Sequence, residues 1–451
     1  MEVLGRVTSP GDQPKLRRGW RERLRRARID VTPLRTSADF RTLFAAGTVF
    51  NLGAMFGYVA VPYQLYALTS SNLAVGAMGA VQLIPLVVFG LYGGALADHV
   101  DRRRMLIVTG AAQTALVSVL LVNSLLPDPQ VWVLYVVGAL MSAASSLQRP
   151  SREALIPRVV RHDELPAAVA VSSIGFQIGM LVGPAVGGLL IARYGPPVAY
   201  GVETVGLALA TLMLLRLKHY PPLEESTPPS WAAITDGVRY AVRRKDLLGT
   251  YVVDMVGMFL AMPIVLFPAL ATEVLRQPAM LGLLYTAEAV GAMVATLTSG
   301  WTAHVHHHGR AVTLAAAGWG ASIGIAGLMP NAWLVIVFLA LAGAFDMISG
   351  IFRGVIWHQT IPDSMRGRLA GIEMLSYSIG PLGGQLRSGL VADLTTVRTS
   401  IVSGGILCVL GVGATAAGLR DFWRYDARTD EHAVRQRDLR AAHDPTPHDE
   451  R

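Results

Sequence analysis

Twelve stretches of this chain are each long and apolar enough to form a helix across a lipid bilayer. A spanning helix needs roughly 20 mostly apolar residues. The stretches lie near 42–67, 73–97, 104–126, 131–151, 167–192, 197–217, 248–274, 280–302, 311–329, 332–354, 369–393 and 400–418. In hydrocarbon every backbone polar group must be satisfied internally, which leaves helices and closed barrels. Helical periodicity and frequent Gly and Pro argue against lipid-facing strands. The expected class is an all-α polytopic membrane protein with antiparallel neighbours. Composition agrees, since only 16% of the 451 residues are charged, against about 25% in a soluble protein.

Basic residues set the orientation. With the N-terminus in the cytoplasm, only Arg193, Arg276 and Arg398 of the 39 Lys and Arg fall on the opposite side, and Arg387 falls within a stretch. Positive charge is retained in the cytoplasm, so both termini are expected there, in the inner (plasma) membrane of a bacterium. The net charge of +8 is then a topology feature spread over loops, and no nucleic-acid partner is expected. Cys408 is the single cysteine, which excludes an intrachain disulfide and a Cys-based metal site. The cluster His304, His306, His307 and His308 has no acid or thiol close in sequence, so it reads as a solvated loop. No metal and no cofactor are expected. No His-Glu-x-x-His and no Gly-x-x-x-x-Gly-Lys-Ser/Thr loop is present, so neither an enzyme nor an ATP-driven machine is expected.

The polar stretch 218–247, with Pro221-Pro222, Pro228-Pro229 and a short amphipathic helix from Trp231 to Arg243, divides the chain. The expected parts are a basic N-terminal segment 1–38, a six-helix bundle 39–218, a cytoplasmic linker 219–247, a second six-helix bundle 248–420 and a polar, disordered tail 421–451. Gly94 and Asp98 recur as Gly300 and His304, Ile156-Pro157 as Ile361-Pro362, and Arg149 as Arg353, at nearly constant offset. Two parallel six-helix repeats form a transporter architecture. Within the first segment, residues 15–28 carry Leu16, Trp20 and Leu24 on one face of a basic helix. It either lies on the anionic inner leaflet or is a topogenic tail.

Two motifs carry more. Gly175, Gly179, Gly183, Pro184, Gly187 and Gly188 make a smooth ridge in the fifth stretch. Glycine costs a helix about 1 kcal/mol and interior proline about 3. A lipid-buried helix accepts that where backbones touch or the helix bends. After the second stretch, Gly94, Asp98, Arg102, Arg103 and Arg104 pack into one turn, where an acid can pair with arginine or a helix N-terminus. This turn resembles the Gly-x-x-x-Asp-Arg-x-Gly-Arg-Arg motif of the major facilitator superfamily, with His99 and Asp101 as departures. The ridge resembles that superfamily's antiporter motif. Phe40-Arg41, Val59-Ala60-Val61-Pro62, Phe267-Pro268-Ala269-Leu270, Leu297-Thr298-Ser299-Gly300 and Gly367-Arg368 are similar to the enterobactin-exporter branch. The resemblance covers roughly residues 38–420. It implies twelve helices in two pseudo-repeats and a monomeric exporter of a small amphipathic molecule, a siderophore or a drug. Alternating access, coupled to protons moving inward, would drive it. An importer or a non-transporting receptor of the same fold is the alternative.

A charge at the bilayer centre costs roughly 2.5–3.5 kcal/mol on insertion scales, so each one needs a reason. Asp346 and Arg353 share a helix face but stand about 10 Å apart along the axis, so no direct pair between them is expected. Asp346, Glu288 and Asp254 are candidate proton-coupling acids, Asp254 being expected near solvent. The alternatives are a structural ion pair for Asp346 and a quiet helix-to-helix bond for Glu288. Glu203 is expected to pair with Arg193. Candidates for the substrate cavity are Asn51, Met55 and Tyr58 on one face of the first helix, Met258, Arg353, and Arg387 as an anion receiver. Glu373 is a candidate latch for Arg102 or Arg103, and the ridge is expected to face the eighth helix near Glu288.

Overall fold

Helices make up the ordered structure, and no strand occurs among the described residues. The computed structural model describes residues 30–221 and 239–443; side chains at 91–99, 363–364, 366–368, 370–372, 374–375 and 440–443 lie outside the description. The long helices are α1 (Ala38–Thr69), α2 (Asn72–His99), α3 (Arg102–Leu125), α4 (Val131–Glu153), α5 (Leu165–Tyr194), α6 (Pro196–Leu214), α7 (Lys245–Ala261), α8 (Leu281–Leu297), α9 (His308–Leu328), α10 (Ala332–Thr360), α11 (Asp363–Leu394) and α12 (Val397–Gly418). Eleven spans among the described residues are long and apolar enough to cross a membrane. The 32-residue α11 is not among those eleven.

Local chemistry places the helix ends. The Ser37 hydroxyl accepts from the amide of Phe40 at 3.0 Å and starts α1. The Asp101 carboxylate accepts from the Arg104 amide at 3.1 Å and starts α3, and Asn331 does the same for Trp333 at 2.8 Å before α10. Each of these caps satisfies an amide that the first turn leaves orphaned. Gly195, at φ +80°, makes the tight turn between α5 and α6.

The packing repeats itself. In the first half α1 packs on α5 and α6, α3 on α6, and α4 on α2 and α3; in the second, α7 packs on α11 and α12, α9 on α12, and α10 on α8 and α9. Across the halves α2 meets α11 and α5 meets α8, the same two positions exchanged. Lipid offers no hydrophobic drive between helices, so close packing of small residues carries these contacts. A side chain on Gly291 would strike the Ala340 carbonyl, and one on Gly343 the Glu288 carbonyl, so α8 and α10 cross backbone to backbone.

α7 stops at Ala261, Met262 is extended, and the chain resumes as short helical turns through Val274. The carbonyl of Leu260 therefore loses its partner at membrane depth, where each unsatisfied group is costly. Arg387 of α11 replaces it, its Nη1 donating to that oxygen at 2.8 Å. Arg387 also reaches the Ser400 carbonyl at 3.4 Å and Ser403 Oγ at 3.5 Å. The sequence points to an anion receiver; in the structure the guanidinium also caps a broken helix.

The end of the chain departs from expectation as well. Residues 421–443 are folded, and α13 (Glu431–His443) packs on α10. Phe422 is wholly buried, wedged against Gly249 of α7 and Gly309 of α9. Asp426 accepts from Arg428 Nη2 at 2.8 Å, Nε at 3.1 Å and the backbone amide at 3.0 Å. These bonds hold its carboxyl well below the usual carboxylate range. Three aromatics in a polar tail, Phe422, Trp423 and Tyr425, were the signal in the sequence. Residues 1–29, the linker from 222 to 238 and 444–451 lie outside the described residues, as do the helix expected over 15–28 and the first part of the one expected from Trp231 to Arg243, of which 239–243 are helical.

Candidate functional site

Among the described residues, the hydrogen bonds and close backbone approaches between the halves gather at one end of the bundle. The carboxylate of Asp393, at the end of α11, accepts from Ser71 Oγ at 2.5 Å, from the amides of Asn72 at 2.7 Å and Leu73 at 3.1 Å, and from Asn72 Nδ2 at 3.1 Å. It caps the N-terminus of α2 from the other half, where the exposed amides and helix dipole favour an anion. The Tyr66 hydroxyl donates to Glu273. Gly188 touches Gly282, and the Gln385 carbonyl abuts Gly76. We predict that Asp393→Ala leaves the fold intact but loosens this end. Losing a cap costs about 0.5–2 kcal/mol, so a cysteine at Gln385 should react with an impermeant maleimide about tenfold faster. Unchanged labelling would show that the carboxylate holds nothing shut.

Toward the opposite end lies a cavity of about 780 Å³ walled by α1, α4 and α5 of the first half, with Met347 of α10 at its edge. Its wall is mainly apolar, with Phe40, Phe44 and Phe176, and its polar lining includes Asn51, Thr48 and Arg152. Binding pockets for small molecules typically run to roughly 300–1,000 Å³.

Deeper, in the second half, the acids cluster. Arg353 is 6% exposed and pairs with Asp254 of α7, itself 8% exposed. Its Nη2 lies 3.7 Å from Asp346 Oδ1. The expectation that Asp346 and Arg353 cannot pair is corrected. The axial gap is two turns, but an arginine on a helix leans toward the N-terminus and spans it. Asp254 is likewise no solvated residue: Arg353 and Ser376, whose Oγ donates at 3.3 Å, enclose it. Asp346 keeps 43% of its side-chain surface open. Asp254, Met258, Asp346 and Ser349 share a gap of about 10 Å³, room for one water at most. Glu288 of α8 lies near Asp346 and Tyr58. Its Oε1 is buried without a hydrogen-bond partner.

This geometry, a cavity in one half that reaches Met347 of the other beside buried charges, suits a transporter, and the comparisons agree. The sequence pattern of the transmembrane secretion effector family matches residues 29–440. The chain belongs to that family, within the major facilitator superfamily. The enterobactin exporter EntS of Escherichia coli is 30% identical to it over 391 residues, 85% of this chain and 92% of that exporter. A bacterial homologue of the human lysosomal transporter Spinster, solved inward-facing and unoccupied, superposes with a TM-score of 0.66 at 14% identity, covering 86% of this chain and 99% of that one. The peptide transporter POT with sulfate gives 0.67 at 13% identity, over 86% and 95%. At these identities the two structures speak for the fold alone.

The protein is thus a multi-pass membrane transporter of the major facilitator superfamily, and its motif residues can be placed. Facing α1 are Gly175 (on Phe44 and Thr48), Gly179 (on Asn51), Gly183 (on Met55) and Gly187 (on Phe56). Only Gly188, with the carbonyls of Pro184 and Ala185, reaches α8, at Gly282. The ridge was expected to face α8 near Glu288; it mainly seats α5 on its own half. Of the α1 candidates, Asn51 lines the cavity and donates to the Phe176 carbonyl at 2.9 Å. Met55 packs on Gly183, and Tyr58 meets Tyr285 edge-on at 5.5 Å.

The side chain of Asp98 lies outside the described residues, as does any Cβ contact of Gly94. Arg102 is 7% exposed. Arg103 donates to the Leu215 carbonyl at 2.7 Å, while Glu373 accepts from Tyr377. The expected latch is therefore not made between Arg103 and Glu373 in this conformation. Asp101 pairs with His219 beyond α6.

Two further expectations change. Glu203 is 1% exposed with Oε2 unpartnered, pressed on Gly53 and Gly57 of α1, whereas Arg193 is exposed. A turn-spanning pair between them does not form because Glu203 points into the bundle. His308 is buried, its Nε2 2.9 Å from the Val305 carbonyl and its ring between Phe352 and Tyr425. His307 lies 3.5 Å from Asp426, an acid the sequence keeps far away. Among the described residues no His, Cys, Asp and Glu group could hold a metal. Gly320-Ala-Ser322-Ile-Gly324 matches the hydrolase pattern Gly-x-Ser-x-Gly in letters only. Ser322 donates to the Gly318 carbonyl at 2.8 Å within α9, and Gly320 packs on Cys408 of α12.

Proposed function

We propose that the protein is a secondary active exporter of a small amphipathic molecule, a siderophore or a drug, working as a monomer by alternating access in the bacterial inner membrane. Both termini lie in the cytoplasm on this reading, and the open cavity faces it. The observation that carries the proposal is an asymmetry of the bundle: the halves are joined through Asp393, Gly188 and Tyr66 at one end, and a cavity walled by α1, α4 and α5, with Met347 of the other half at its edge, lies toward the other. The basic residues Arg149, Arg152, Arg158 and Arg161 gather at the open end, where positive charge is retained. The relative named as an enterobactin exporter supports export over import.

Protons moving inward drive the cycle. A proton crossing 100 mV releases about 2.3 kcal/mol, which sustains a roughly 50-fold gradient of a neutral substrate at ~1.4 kcal/mol per tenfold. Asp346 and Glu288 carry the coupling, with Arg353 shared between Asp254 and Asp346 as the element that responds. Asp254 is the structural member of the set. The small-molecule substrate, protons and lipid are the partners; nucleic acid is not.

Everted vesicles offered enterobactin or ethidium test this. Uptake that collapses on adding a protonophore is the expected result. Uptake indifferent to the protonophore removes the coupling, and higher accumulation in whole cells carrying the protein points to an importer. No movement of either compound across sealed vesicles would favour the receptor reading.

A further inference from the structure

Arg152 is the feature of the cavity that the transport reading leaves unused. It stands in the last turn of α4. Its aliphatic stem and Nη1 lie over Gly47 of α1, where a Cβ would come within 3.2 Å of both. The bond from Nη1 to the Gly47 carbonyl is long, 3.4 Å. A guanidinium carries five donors in a rigid fork and cannot shed its charge. The other four donors have no protein acceptor among the described residues.

Among the described residues no carboxylate makes a direct ion pair with it. Glu153 is the only acid lining the cavity, and Arg149 already holds it, Nε to Oε1, at 2.9 Å. Arg152 is therefore the cavity-lining cation without a carboxylate partner among the described residues. Around it the wall is aromatic and neutral: Phe40 and Phe44 stack at 6.4 Å, and Phe176 faces them from α5. A partly desolvated cation with free donors attracts an anion and repels a cation, and its planar fork matches two oxygens at once.

We propose that this cavity binds an amphipathic anion, seating a carboxylate or phenolate on the Arg152 guanidinium and an aromatic body against Phe44 and Phe176. The proposal rests on the cavity being the substrate site and narrows that reading to one charge class. Lipophilic cations, a usual drug class, are disfavoured by the same group.

Equilibrium binding in detergent decides it, since binding carries no direction and no coupling. The probes are 1-naphthoate, neutral 1-naphthylmethanol and cationic 1-naphthylmethylammonium, followed by calorimetry on the purified full-length protein. Naphthoate should bind about tenfold tighter than the cation. Arg152→Gln should weaken naphthoate by about tenfold and leave naphthylmethanol within about twofold, with Arg152→Lys intermediate because its point charge lacks the fork. Equal or better binding of the cation overturns the proposal. So does an Arg152→Gln loss shared by all three probes, which would make Arg152 a brace on Gly47. An importer or a receptor would give the same binding pattern, so failure of the vesicle experiment leaves this result readable.

Discussion

Exchanging Arg353 for glutamine is expected to lower the stability of the second half by about 3–5 kcal/mol, the usual cost of removing one partner from a buried ion pair. Asp254, 8% exposed, would keep only the 3.3 Å bond from Ser376. For bundles of this size that corresponds to a fall in melting temperature on the order of 10 °C, read from size-exclusion profiles of heated, detergent-purified protein. The double variant Arg353→Gln with Asp254→Asn should recover most of it, because loss of both charges leaves no orphan. Asp346→Asn should behave differently: 43% of that side chain is open and its arginine contact is the longer one. Its melting temperature should stay near that of the parent while the response of transport to a protonophore disappears. A large stability loss in Asp346→Asn, or none in Arg353→Gln, would reverse the roles given to the two acids.

The second large effect separates contacts within a half from contacts between halves. Gly291→Val drives a branched side chain into the Ala340 carbonyl, where α8 and α10 cross. Both helices belong to one half, so relief means dismantling that half. Overpacking a core costs about 1–3 kcal/mol, and more where backbone blocks backbone, so this variant should fail to reach the membrane as monodisperse protein. Gly188→Val makes a milder but still forbidden clash with Gly282, and the two glycines sit on different halves, which can swing apart. Gly188→Val should insert and purify normally. It should lose transport by about tenfold or more, since ~1.4 kcal/mol against the closed end shifts the conformers tenfold. Gly183→Val, facing Met55 inside the first half, should resemble Gly291→Val. If Gly188→Val also fails to purify, the α5–α8 contact is part of the folding core and not a gate.

Much of the fold was legible because lipid leaves few choices. Length and apolarity of the stretches located the helices, and eleven of them meet the requirement for a span as folded. The glycine ridge announced a close helix contact but not its partner. Glycine records that something is near, and the identity of the neighbour depends on how α5 turns toward α1. Arg387 reads as a functional charge in sequence and is a cap in space, because the break at Met262–Pro263 that needs it lies on another helix. Glu203, Asp393 and Arg152 gave little or no signal, since an isolated charge near a helix end is ordinary until its surroundings are known.

By itself, then, the sequence determined a polytopic helical membrane protein with paired halves, its long apolar runs and basic loops being one-dimensional quantities fixed by bilayer thickness and charge retention. The tertiary structure alone decided which acid is held by Arg353, which helix the glycines touch, and which end of the bundle is shut. Those facts depend on side chains from helices far apart in sequence arriving within a few ångströms of one another, and no spacing along one helix records the rotation of its neighbour.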